Sequence, residues 1–304
     1  MASGFGKRRK LIILIYHRVF AKPDFMCPEQ IDSAKFDWQM ALLASHFNVL
    51  SLSEALQQLK NGHLPSRAVC ITFDDGYADN YTTALPILQR YGLSATFFVV
   101  SGMLNQSRMW SDDIVETIRL YPGAVLDLNA LGFGAYAVST VTEKAQAAAQ
   151  IITQVKYLPL GERDAICRSI ADLVDQPLLQ LMLTTEQLND LSAQGMEIGA
   201  HSVNHPILKN LPCEQWQYEI LNCKLQLEAV LGKTVRYFAY PNGKLHDDYD
   251  REQCQFVEQC GYEAALSTEW GRVSRESDWF QLPRFTPWDH TPARFMLRMA
   301  NEYF

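Results

Sequence analysis

Four times along this 304-residue chain, a helix-like run closes on a glycine and a short apolar run follows within a few residues. Pro86 to Tyr91 ends at Gly92 ahead of Ala95 to Val100, and Glu186 to Gln194 ends at Gly195 ahead of Met196 to Ala200. Glu214 to Leu231 ends at Gly232 ahead of Val235 to Tyr240, and Asp248 to Cys260 ends at Gly261 ahead of Tyr262 to Leu266. Glycine accepts the left-handed backbone that closes a helix, so the pattern specifies repeated helix-then-strand units. Ser51-x-x-Glu54 and Thr184-x-x-Gln187 fit capping boxes at helix starts. Leu11 to Tyr16 and Ala68 to Phe73 complete a set of near-continuous apolar strands, which is how parallel strands read when helices cover them. The expected fold is α/β, with the sheet closed as a barrel and its chemistry at the C-terminal strand ends.

Polar and turn residues stand at those ends: His17, Asp74, Asp75, His201 and Pro241. Asp74 and Asp75 follow one strand directly, and adjacent carboxylates repel unless a cation separates their roles, one as ligand and the other as base. Alone, Asp74-Asp75-Gly76 would fit a solvated turn. His201-x-x-x-His205 can present two imidazoles to one cation, and with Asp75 it makes a two-histidine, one-carboxylate set that leaves room for water. In a third block, Arg236 to Gly243, Arg236 could reach a buried carboxylate and the turn could aim the Tyr240 N–H at a developing oxyanion.

The alternation breaks between about 103 and 183. That stretch carries a helix signal after Ser111, a hairpin signal over Ala124 to Val138 and helical runs from Thr142 and Glu162. It reads as a mainly helical lobe inserted in a single 1–304 domain. The 48% hydrophobic content is ample for one large core. A net charge of −7 argues against nucleic acid, which requires a basic face. The seven cysteines form no C-x-x-C pair and read as reduced thiols. Lys7-Arg8-Arg9-Lys10 before Leu11 to Tyr16 imitates a leader, but the apolar run is short and stops at His17-Arg18, so a buried first strand is expected. No stretch approaches the roughly 20 apolar residues of a membrane span. The expected location is cytoplasmic, with peripheral membrane contact left open through the basic cluster.

Taken together, these motifs resemble those of the polysaccharide deacetylase family, the NodB-homology group of carbohydrate esterases and amidases. Thr72 to Gly76 resembles its first motif, His201 to His205 its second and Arg236 to Gly243 its third. The resemblance implies a distorted (β/α)7-type barrel, one divalent metal ion, often Zn2+, and removal of an acetyl group from a sugar such as an N-acetylhexosamine. It implies Asp74 as general base, Asp75, His201 and His205 as metal ligands, Arg236 orienting Asp74, Tyr240 supplying the oxyanion N–H and Pro241 shaping its turn. Tyr16-His17-Arg18 resembles a permuted version of the family's acid motif, which makes His17 the general acid and His290 its rival. Trp279 and Arg284 fall in the region that supports the acid and the acetyl pocket. An allantoinase-like hydrolase of small amides and a non-catalytic carbohydrate-binding barrel are the competing readings.

Overall fold

The computed structural model describes residues 9–106, 108–175 and 179–303, so Lys7 and Arg8 of the basic cluster lie outside the described residues. Seven strands follow one another around the sheet: β1 (Leu11–Tyr16), β2 (Ala68–Phe73), β3 (Thr96–Val99), β4 (Glu197–Ala200), β5 (Tyr237–Ala239), β6 (Ala264–Trp270) and β7 (Leu282–Arg284). Every neighbouring pair is parallel. The ring comes round where Leu14 bridges Phe285: the Ile15 N–H donates to the Phe285 carbonyl at 3.0 Å, and the Phe285 N–H donates to the Ile13 carbonyl at 2.8 Å. The result is a nearly closed (β/α)7 barrel.

Why the strands are apolar throughout is visible in how their residues divide. Ile12, Leu14, Tyr16, Val69, Ile71 and Phe73 pack outward among the helices. Their alternates Leu11, Ile13, Ala68 and Cys70 pack inward with Ala239, Leu266 and Leu282. Both faces of a two-residue period are therefore buried, and each large aliphatic side chain contributes about 1.5–3 kcal/mol by leaving water. Along β2 the inward series Ala68, Cys70, Thr72 continues to Asp74, all buried. The barrel interior thus changes from apolar to polar at the C-terminal strand ends.

The helix signals resolve as hydrogen bonds. Ser51 accepts from the Glu54 N–H at the start of Leu52–Asn61, and Thr184 and Gln187 form a reciprocal capping box ahead of Thr185–Ala193. Gly232 closes Cys213–Leu231 at φ +62, its N–H donating to the Glu228 carbonyl. Between β3 and β4 stand the helices Trp110–Leu120, Val141–Val155 and Leu160–Ala171 and an antiparallel pair, Val125–Asp127 with Ala135–Ala137. They share a separate core that includes Ile114, Ile118, Leu126, Ile151 and Cys167.

Gly199 sits where β4 passes the Phe98 ring, and a Cβ there would lie 2.4 Å from two ring carbons and 3.2 Å from the Tyr237 carbonyl oxygen. Gly199→Ala is expected to cost about 1–3 kcal/mol, read from a denaturant midpoint. An unchanged midpoint would contradict this close packing.

Candidate active site

Each functional side chain is delivered by the end of a barrel strand. Asp74 extends β2 with its N–H bonded to the Tyr16 carbonyl at 2.9 Å, and Asp75 then turns at φ +76. β4 leads directly into His201, and the following loop places Ser202 at φ +64 and His205 at φ +52. The His205 N–H closes that loop by donating to Ser202 Oγ at 3.0 Å. Left-handed backbone at residues bearing side chains stores strain, and here it aims carboxylate and imidazole at one point.

Asp75 Oδ1 lies 3.5 Å from Nε2 of both His201 and His205. One ligand atom from each of the three residues falls within 4.8 Å of the others. His201 Nδ1 is 2.7 Å from the Ala239 carbonyl oxygen, which only accepts, so Nδ1 carries a proton and Nε2 is the nitrogen left facing Asp75. Asp75 Oδ1 is buried without a hydrogen-bond partner among the described residues. A buried carboxylate oxygen left so is costly, and a divalent cation between it and two imidazoles removes the cost. The donor set fits such an ion.

The electrostatics agree. Burial pushes the Asp75 carboxyl up, but His201, His205 and His17 outweigh it and hold the group well below its ordinary value. Burial, opposed by Asp75 and reinforced by His201 and Arg163, lowers His205 to about 3, which leaves its ring neutral near pH 7. Burial also opposes a charge on His201, yet Asp74 and Asp75 more than offset it and raise that imidazole. A cation arriving at His201 therefore competes with a proton.

Asp74 belongs to a different partner from the expected one. Arg284 Nη1 and Nη2 donate to its two carboxylate oxygens at 2.7 and 2.6 Å, while Arg284 Nε is fixed on the Ser267 carbonyl at 2.8 Å. Burial raises the Asp74 carboxyl, but Arg284 and His201 bring it below its ordinary value. Arg236, expected to do this, precedes β5 and stands at the opposite end of the barrel, where its Nε meets Glu263 Oε1 at 2.8 Å. Trp279 lies there too, lining a separate cavity with Arg236 and Tyr237 rather than contacting this site. The Tyr240 N–H is also spent: it donates to the Leu266 carbonyl at 3.1 Å as part of the sheet. Its ring stacks on Tyr249 with centroids 3.8 Å apart, which makes Tyr240 a core residue. Pro241 is buried in the turn after β5, and the next residue, Asn242 at φ +60, lines the cavity; its N–H is unpaired among the described residues.

His17, Asp74, Asp75, His201 and His205 line one cavity of about 470 Å³, walled on the other side by Trp110, Asp112, Ile152 and Lys156 from the segment between β3 and β4. His290 is exposed, 3.3 Å from Lys35 Nζ, and is not among the residues lining this cavity. Asn242 and Asp112, both in the cavity lining, were not singled out by the sequence reading. Asn242 could have been found, because Pro241 has no N–H and the first free donor after Tyr240 must follow it. Asp112 could not, since an acid in a helix's first turn is ordinary. Here it receives the Tyr77 hydroxyl at 3.3 Å and the Met109 N–H at 2.9 Å. Burial, against the pull of Arg18, pushes it up to about 7.

The family described as polysaccharide deacetylase matches residues 61–265, more than half of the chain. Over 279 residues the chain is 23% identical to YxkH of Bacillus subtilis (strain 168), which carries a polysaccharide deacetylase name, spanning 91% of this chain and 71% of that one. Over 123 residues it is 30% identical to the poly-β-1,6-N-acetyl-D-glucosamine N-deacetylase of Staphylococcus aureus (strain MSSA476), spanning 36% of this chain and 42% of that one. Among solved structures, the Streptococcus pyogenes deacetylase PplD in complex with acetate aligns with a TM-score of 0.64 at 20% identity, covering 95% of this chain and 97% of that one. That likeness is one of fold.

The two arginines separate cleanly by experiment. Arg284→Met strands a buried carboxylate and is expected to cost about 3–5 kcal/mol, whereas Arg236→Met breaks a surface pair worth at most about 1 kcal/mol. Because Asp74 titrates below its ordinary value when folded, its contribution is present above that value and is lost as pH falls through the folded one. Denaturant unfolding across pH checks both points; equal losses from the two substitutions would contradict the assignment.

Proposed function

Because this chain belongs to the polysaccharide deacetylase family, we propose that it is a metal-dependent hydrolase that removes the acetyl group from an N-acetylhexosamine of a polysaccharide, oligosaccharide or lipid-linked glycan. One observation carries the reading: a ligand set of Asp75, His201 and His205 opens on the same cavity as a second carboxylate, Asp74, that is oriented by Arg284. A divalent cation held by those three residues, with zinc favoured by the donor set, supplies Lewis acidity toward the acetyl carbonyl and the attacking water.

The chain's own residues perform the rest. Asp74, kept ionised by Arg284, accepts the proton released as water adds to the acetyl carbonyl. The Asn242 N–H, in the role first assigned to Tyr240, faces the developing oxyanion, and loss of one such donor typically costs about 2.7–4 kcal/mol. His17 donates a proton to the nitrogen as the C–N bond breaks, giving acetate and a free amine. An amide nitrogen leaves poorly as an anion, and a placed acid contributes about 10²- to 10⁴-fold. The name of the Staphylococcus aureus relative supports a β-1,6-linked N-acetylglucosamine polymer as the first substrate to try. A reducing, cytoplasmic setting belongs to the same proposal, supported by the seven free cysteines. Among the described residues no helix is long and apolar enough to cross a membrane.

Acetate release from β-1,6-linked N-acetylglucosamine oligomers, with and without chelator, tests the reading: turnover should appear and the chelator should abolish it. Asp74→Asn should lose turnover while retaining metal, and His17→Ala should remove the fall in rate at high pH that a protonated acid imposes. Chelator-insensitive acetate release, or a high-pH fall that survives in His17→Ala and vanishes in His290→Ala, would overturn the corresponding role.

A further inference from the structure

The loop bearing the second imidazole is strained, since Ser202 and His205 both lie in left-handed backbone that costs on the order of 1–3 kcal/mol per residue. Such strain persists only where neighbours over-determine it, and two buried charged side chains grip this loop from opposite sides. From the barrel's outer layer, Glu219 on Cys213–Leu231 accepts the Val203 and Asn204 N–H groups at 2.8 Å each on one oxygen and Asn204 Nδ2 at 2.7 Å on the other. From the inserted lobe, Arg163 on Leu160–Ala171 donates Nη1 to the His205 carbonyl and Nη2 to the Asn204 carbonyl, both at 3.3 Å.

Arg163 is itself held in place. It is 5% exposed, its Nε bonds Asp164 Oδ1 at 3.1 Å, and its guanidinium lies 5.0 Å from the centre of the Trp110 ring. A planar fork presents two donors at fixed spacing and so matches two successive carbonyls, which a single ammonium does not. Trp110 also walls the cavity of about 470 Å³. One lobe helix therefore ends up joined to the backbone of a ligand residue, and the ring packed on it faces the substrate side.

We propose that Arg163 is a positioning residue: through its fork on the Asn204 and His205 carbonyls, the inserted lobe sets where the His205 imidazole stands and thereby sets the affinity of the cation site. The inference rests on the reading above only in requiring that Asp75, His201 and His205 take a cation. Groups that orient a metal ligand without touching the metal typically change affinity by about 10- to 100-fold when removed.

The test uses the full chain stripped of metal and titrated with Zn2+ in competition with a chromophoric chelator, with folding followed in parallel by denaturant unfolding. Arg163→Met should weaken zinc binding within that range. Arg163→Lys, which keeps the charge and loses the fork, should fall between Arg163→Met and the parent, about tenfold weaker than the parent. Acetate release at saturating oligomer should recover in both variants when zinc is raised, a rescue that a purely structural lobe contact would not give. Should Arg163→Met fail to fold, Arg163→Lys carries the test. Parent-like zinc affinity in a folded variant would overturn the clamp, whereas a parent protein that takes up no zinc would overturn the metal-dependent reading instead.

Discussion

A carboxylate oxygen buried between two imidazole nitrogens is the constraint to which the rest of this site answers. Asp75 Oδ1 has His201 and His205 Nε2 at 3.5 Å each and no hydrogen bond of its own among the described residues. In a medium of low effective dielectric such a group is tolerated only if a positive charge completes it. The protein invests backbone strain to keep the three donors convergent, at Asp75, Ser202 and His205 alike. It then fixes the His201 tautomer from behind with a main-chain carbonyl.

The second carboxylate is handled in the opposite way. Asp74 is paired on both oxygens by Arg284, one donor to each, and still lines the cavity. Two adjacent aspartates consequently differ in kind, one held and oriented by a guanidinium, the other open to an ion. Their environments, rather than their intrinsic acidity, divide the work. The barrel makes this division available because at the C-terminal strand ends Thr72, Asp74, Arg284 and His201 stand together, all buried, where β1 and β2 carry apolar side chains below them.

Much of this was legible in the sequence, and the residues that misled share a cause. Strand identity, the helix-ending glycines and the helix N-caps all depend on local backbone chemistry, and they stand where the pattern put them, although only Thr184 and Gln187 form a reciprocal box while the Glu54 side chain accepts from Gln58 instead. Asp74, Asp75, His201, His205 and His17 were legible because a parallel barrel brings the C-terminal ends of its strands to one face. Arg236 and Trp279 misled because the sequence does not say which end of the barrel a residue occupies when it sits beside a strand rather than after it. Tyr240 misled because a residue just past a strand still owes its N–H to the ladder. Arg284 was noticed and misassigned: only the fold shows that β7 lies near enough to β2 for a guanidinium to span the interior. Asp112, Arg163 and Glu219 carried no signal, since each gains meaning from a partner far along the chain.

The most direct test of the account is anomalous diffraction at the zinc edge from crystals of the full chain grown with Zn2+. A single strong peak within about 2.0–2.2 Å of one Asp75 carboxylate oxygen and of Nε2 of both His201 and His205 is the predicted result. An ordered protein whose anomalous peak lies elsewhere, or that shows none while these three atoms keep their positions, would contradict it.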